Sequence, residues 1–172
     1  MTTDNGSAQK PFTITRTFDA PRDLVWKAHT DCEHLKHWWG PKGFTMSSCK
    51  VDLRPGGTFL YGLESPDGLV MWGKFVYREI VEPEKLVFVV SFSDENAGIT
   101  RHPASPTWPL EMLSTSTFTE QDGGTAVTVS WYPINASEEE IRTFDEGREG
   151  MKQGFAGTFD QLEDYLSQLK AR

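Results

Sequence analysis

Little in this chain points to a covalent catalyst, a membrane protein or a nucleic-acid binder. It has only two cysteines, Cys32 and Cys49. They lie in different predicted elements with no repeated spacing, so neither a disulfide framework nor a redox motif is indicated, and both are expected to be reduced. No apolar run approaches the roughly 20 residues of a membrane span, and residues 1–10 have neither a basic start nor an apolar signal core; the expectation is a soluble, cytoplasmic protein without membrane insertion. Acidic residues outnumber basic ones, 25 to 17, for a net charge of −8. No Lys/Arg cluster could track a phosphate backbone, which argues against nucleic acid as a partner. The G-x-S-x-G elbow and the glycine-rich phosphate loop are missing, and neither cysteine has an obvious activating partner.

What is present suits one folded domain. A chain of 172 residues can bury about 70% of the surface its unfolded form exposes. Its six tryptophans and eleven phenylalanines supply much of a core. Residues 1–10 read as a disordered tail and 11–172 as a single domain.

Phe12, Ile14 and Phe18 alternate with threonines, the period of a half-buried strand. Ala20-Pro21 then starts a helix, because proline near the first turn loses no hydrogen bond there, and Leu24, Val25 and Ala28 give it an apolar side. Asp31 is a plausible cap for a second short helix, which Gly40-Pro41 stops after Trp38 and Trp39. Strand signals follow at 44–53, 58–63, 69–81, 86–92, 110–118 and 125–132. The turn residues between them, such as Pro55-Gly56-Gly57 and Asp122-Gly123-Gly124, predict an antiparallel meander. Only 93–109 is a long connection without periodicity, a length that suits a mobile loop or one covering a site.

Ser137-Glu138-Glu139-Glu140 is a capping box opening a long helix. Its apolar stripe runs through Ile141, Phe144, Met151, Phe155, Phe159, Leu162, Leu166 and Leu169. Gly147, Gly150, Gly154 and Gly157 form a second stripe, although each interior glycine costs a helix about 1 kcal/mol relative to alanine. Either the helix is interrupted near Gly147 to Gly150 or closely approached by the sheet, or the glycines leave space beside it for a ligand.

Four segments carry a resemblance: F-D-A-P-R-D-L-V-W-K-A from Phe18, H-W-W-G-P from His37, V-D-L-R-P-G-G from Val51 and Q-L-E-D-Y-L from Gln161. With this spacing the chain resembles proteins similar to the C-terminal domain of the heat-shock protein 90 ATPase activator, within the START, polyketide-cyclase and birch-pollen-allergen superfamily. The resemblance implies an α+β helix-grip fold: a curved antiparallel sheet wrapped around a long C-terminal helix, with two short helices after the first strand. It also implies a cavity between sheet and helix, but no single activity. Two departures bear on that cavity. Gly150-Met151 stands where the family often has Gly-Trp, and the 93–109 loop is longer than expected.

The expected function is binding of a small, largely apolar molecule of the lipid, sterol or aromatic polyketide class, without a cofactor. Trp39, Trp72, Trp108, Trp131, Met151, Phe155 and Phe159 would line the site. The alternatives are a cyclase, dehydratase or hydrolase using His102 or Glu111 as acid or base, and a module that contacts a chaperone; a homodimer is also open. Arg54 and Lys74 could border the cavity, although solvated surface is the ordinary fate of such groups. His29, Cys32, His34 and His37 have zinc-ligand chemistry, but no second Cys/His pair completes a tetrahedral set, so no metal is expected and these histidines should face solvent.

Overall fold

The computed structural model describes residues 10–102 and 104–170. Strand β1 (Phe12–Phe18) buries Phe12 and Phe18 and exposes its threonines, as the alternation requires. Helix α1 (Arg22–Thr30) starts after Pro21 and buries Val25, Trp26 and Ala28. Asp31 caps α2 (Cys32–Leu35) by accepting the Glu33 N–H at 3.0 Å. Beyond α2, the buried Trp38 donates its indole N–H to the Ala28 carbonyl at 2.9 Å. Gly40 follows with φ +116°, and a Cβ there would lie 3.0 Å from Leu63 Cδ2, so conformation and space both select glycine.

The remaining strands are β2 (Thr45–Val51), β3 (Thr58–Glu64), β4 (Val70–Val81), β5 (Lys85–Ser93), β6 (Ile99–Thr100), β7 (Glu111–Gln121) and β8 (Gly124–Ile134). Their order is β1-β8-β7-β5-β4-β3-β2, with β6 paired to the end of β5 and every pairing antiparallel. The meander is therefore as expected. Because β1 pairs with β8, the first two strands of the chain hold opposite edges of the open sheet, and α1 and α2 bridge between them. The 93–109 connection is more ordered than its sequence indicates. Ile99 and Thr100 pair with Ser93 and Phe92, and the Asp94 carboxylate accepts the Asn96 and Gly98 N–H groups.

Ser137 and Glu140 form the expected capping box at the start of α3 (Glu138–Glu146). The helix then breaks. The Gly147 N–H is shared between the Thr143 and Phe144 carbonyls, both at 3.1 Å, and α4 (Arg148–Lys170) begins one residue later. Helix α4 packs on the sheet through Phe159, Leu162 and Leu166, all buried, and Phe159 meets Phe18 edge to face. This is the α+β helix-grip architecture. The expected disordered tail falls on residues 1–10, of which all but Lys10 lie outside the described residues.

Two expectations need correction. Cys32 and Cys49 are not reduced thiols: a disulfide joins them, with their Cα atoms 6.0 Å apart. The start of α2 packs on edge strand β2, a proximity created by the turn through Gly40 and invisible in a spacing of 17 residues. His29 does not face solvent with a free ring either. Its ring sits between Trp38 and Phe118, its Nδ1–H donates to the Val25 carbonyl at 2.8 Å, and Nε2 is buried without a hydrogen-bond partner among the described residues. His34 and His37 flank Tyr165 of α4, with His34 Nδ1 2.6 Å from the phenol oxygen and the His37 ring stacked on it.

Closing a loop of this length is worth about 3 kcal/mol in the chain-entropy account. Treatment with dithiothreitol should therefore lower the urea midpoint, and Cys32→Ser should be less stable than wild type and insensitive to the reductant. Burial lowers the His29 pKa from 6.5 to about 4, against the opposing Val25 hydrogen bond. The unfolded chain takes up this proton as pH falls below 6.5 and the folded chain only near 4, so stability should drop across that window. The loss is at most about 3 kcal/mol. Urea titrations at stepped pH should show a shallower fall for His29→Leu.

Candidate ligand-binding site

The apolar stripe of α4 covers only part of the inner sheet face. Between that face and the first half of the helix lies an open cavity of about 660 Å³, within the usual range of small-molecule sites. Inward-facing residues of the sheet form its floor: Tyr61 and Leu63 on β3, Met71 and Gly73 on β4, Met112 on β7 and Trp131 on β8. The turn from Trp39 to Lys42 forms one wall, and His102, Trp108 and Pro109 of the long connection form another.

Helix α4 borders the cavity with Met151, Gln153, Phe155 and Thr158 and, between them, with glycines. A Cβ added at Gly150 or Gly154 would meet nothing within 4 Å, and one at Gly157 would meet only Lys42 Cε at 3.8 Å. Gly147 differs, because a Cβ there would lie 3.0 Å from the Trp108 ring. Both readings of the glycine stripe thus hold at different positions: Gly147 breaks the helix and admits Trp108, while the next three open space.

Polar contacts hold the cavity walls in place. Gln161 donates its side-chain N–H to the Trp38 and Gly40 carbonyls at 3.1 and 2.7 Å, and the Thr158 hydroxyl donates to Gly40 at 3.2 Å. These bonds fasten the Trp38 to Gly40 turn to α4. On the other side, Arg101 pairs with Glu140, and the Thr143 hydroxyl donates to Thr107 at 2.9 Å, tying the connection to α3. The Trp108 ring also packs on Phe144.

Few polar groups face inward. Burial pushes the Tyr61 phenol up to about 12, so it is neutral across the physiological range. The Trp39 indole N–H beside it favours the phenolate slightly but makes no hydrogen bond of good geometry. His102 lies among Phe92 and Trp108, and partial burial holds its pKa below the ordinary value. Its Nδ1 accepts the Ala104 N–H at 2.9 Å, which leaves the proton of the neutral ring on Nε2.

Of the expected site residues, Trp39, Trp108, Trp131, Met151 and Phe155 line the cavity, and Trp131 meets Phe155 edge to face at 5.0 Å. Trp72 borders it, but its ring packs on Gly62, on the face opposite Tyr61 and Gly73, because Gly62 and Trp72 are cross-strand partners. Phe159 is in the core, between Phe18 and Phe155, and is not a wall residue. Glu111 is not among the lining residues either, since it alternates with the inward-facing Met112, whereas His102, the other acid–base candidate, does line the cavity. Arg54 binds Asp52 at 2.9 Å, and Lys74 donates to the Ala97 carbonyl at 2.6 Å. Among the described residues, no group of three His, Cys, Asp or Glu could hold a metal ion. Tyr61, Leu63, Met71 and Met112 were missed, although Tyr61 and Leu63 continue the inward alternation of Phe59.

An open antiparallel sheet gripping a C-terminal helix over such a cavity defines a helix-grip, ligand-binding class of domain. More particularly, the chain belongs to the family described as activator of Hsp90 ATPase homolog 1-like protein, whose profile matches residues 19–167. Similar solved structures include protein Ms6760 from Mycobacterium smegmatis, 30% identical with a TM-score of 0.70 over 88% of this chain and 87% of that one. Protein NE0264 from Nitrosomonas europaea is 28% identical, with a TM-score of 0.73 over 95% and 97%. A protein from Arthrobacter aurescens is 25% identical, with a TM-score of 0.75 over 93% and 87%. No curated protein matches the chain at significance.

Because Gly150 and Gly154 face open space, alanine at either position should gain helix propensity without a clash. Gly150→Ala and Gly154→Ala should each raise stability by about 1 kcal/mol in urea unfolding. A destabilising effect would show that the cavity is closed there in solution.

Proposed function

We propose that this protein binds a small, largely apolar molecule, of the lipid, sterol or aromatic polyketide class, in the cavity between the sheet and α4. The observation that carries the reading is the open glycine face: Gly150 and Gly154 leave a helix surface bare on a cavity whose floor is rich in aromatic and methionine side chains. A helix packed for stability alone would fill that surface, since each glycine lowers helix stability by about 1 kcal/mol.

The binding energy would come from desolvating flat and polarisable surfaces. Burying about 300 Å² of ligand apolar surface at about 25 cal/mol per Å² yields roughly 7 kcal/mol before association costs, so modest affinity is expected unless polar contacts add to it. Trp39, Trp108 and Trp131 would report occupancy directly, because their rings would exchange water for ligand.

Native mass spectrometry of the purified protein and a tryptophan-fluorescence titration with fatty acids, sterols and aromatic polyketides test the reading. Saturable binding by at least one class is expected. Gly154→Phe should weaken it tenfold or more while the fold persists by circular dichroism. An absence of saturable binding across the panel, or undiminished binding in Gly154→Phe, would reject the proposal.

A further inference from the structure

The cavity contains one hydroxyl whose surroundings are arranged around it. Tyr61 sits opposite Gly73 in the β3–β4 register, and its phenol lies directly over that glycine. A Cβ at position 73 would be 2.5 Å from both Tyr61 Cζ and Oη, so any residue but glycine would evict the ring from this position. Phe59 and Phe75 pack on the ring at 4.7 and 5.8 Å between centroids and fix its plane. The hydroxyl is thus held in place, on a rigid strand, at the border of a largely apolar space.

Beside this hydroxyl lies Trp39 Nε1, a buried donor with no hydrogen-bond partner among the described residues. An indole N–H can only donate, and a phenol can both donate and accept. With a donor next to its oxygen, the complementary use of Tyr61 is to give its own proton to something else. In the adjoining register, Leu63, Gly73 and Phe92 carry no side-chain acceptor and Met71 only a weak thioether one.

Resting on the reading of the cavity as a ligand site, we propose that Tyr61 is its polar anchor, donating its O–H to an uncharged carbonyl oxygen on an otherwise apolar ligand, with the Trp39 N–H supporting it. A ketone, ester, lactone or quinone oxygen meets this description. A carboxylate does not, since the two donors at this point, the Tyr61 phenol and the Trp39 indole N–H, are both neutral and offer a buried charge no ion pair. The high phenol pKa agrees with this role, because the group stays a neutral donor instead of becoming a base. The inference also explains why a cavity-facing strand carries glycine at position 73, where an apolar side chain would bury more surface.

Matched probes separate this anchor from simple packing. Prodan is an uncharged naphthyl ketone whose emission moves to longer wavelength when its carbonyl accepts a hydrogen bond, and propylnaphthalene is a hydrocarbon of related shape. Wild type should bind both and red-shift bound prodan relative to an aprotic solvent. Tyr61→Phe should weaken prodan about tenfold, the scale of one net hydrogen bond, and reverse the red shift, with propylnaphthalene affinity within twofold of wild type. Gly73→Ala, checked for folding by circular dichroism, should reproduce the selective loss by displacing the phenol. Unchanged prodan affinity and emission in Tyr61→Phe, or equal losses for both probes, would overturn the anchor and leave the cavity reading standing. Failure of wild type to bind either probe would count against both.

Discussion

Everything at the cavity depends on α4 being fastened at one half so that it can stand away from the sheet at the other. Phe159, Leu162 and Leu166 bury the C-terminal half, and Gln161 and Thr158 bind the carbonyls of the Trp38 to Gly40 turn. The turn is itself immobilised by the indole of Trp38 on α1. Phe155 marks the boundary, touching Phe12, Trp131 and Phe159 on one side and lining the void on the other. Without that fastening, the inner face of β3, β4 and β7 would draw the helix down and close the space.

The charge distribution follows the same division. The net charge of −8 is carried by the outer surfaces, where Arg16 pairs with Asp160 and Glu163 and Arg101 with Glu140. Those pairs contribute little stability individually. They nonetheless define geometry, since Arg16 joins β1 to α4 and Arg101 joins the long connection to α3. The interior relies instead on aromatic packing and a few neutral donors.

The architecture was legible because its signals are local. The capping box at Ser137, the cap at Asp31 and the turn residues of the meander each act within a few residues, and the structure places them as read. The candidate site was legible only in part. Trp131, Met151 and Phe155 follow from periodicity, but the face of Trp72 depends on its pairing with Gly62, and the removal of Phe159 from the wall depends on how deeply α4 seats against Phe18. The role of Tyr61 needs the register that sets it over Gly73. The disulfide was missed for the same reason: Cys32 and Cys49 meet through tertiary packing of a short helix on an edge strand.

A wall made of absent side chains has an evolutionary consequence. At Phe159 or Leu162 a change of side chain disturbs the core, so those positions can vary little without loss of the fold. At Gly150, Gly154 and Gly157 a new side chain would project into a void. Related chains could therefore diverge in the size and shape of the molecule they accept by single codon changes along one helix face, with the scaffold exempt from the cost.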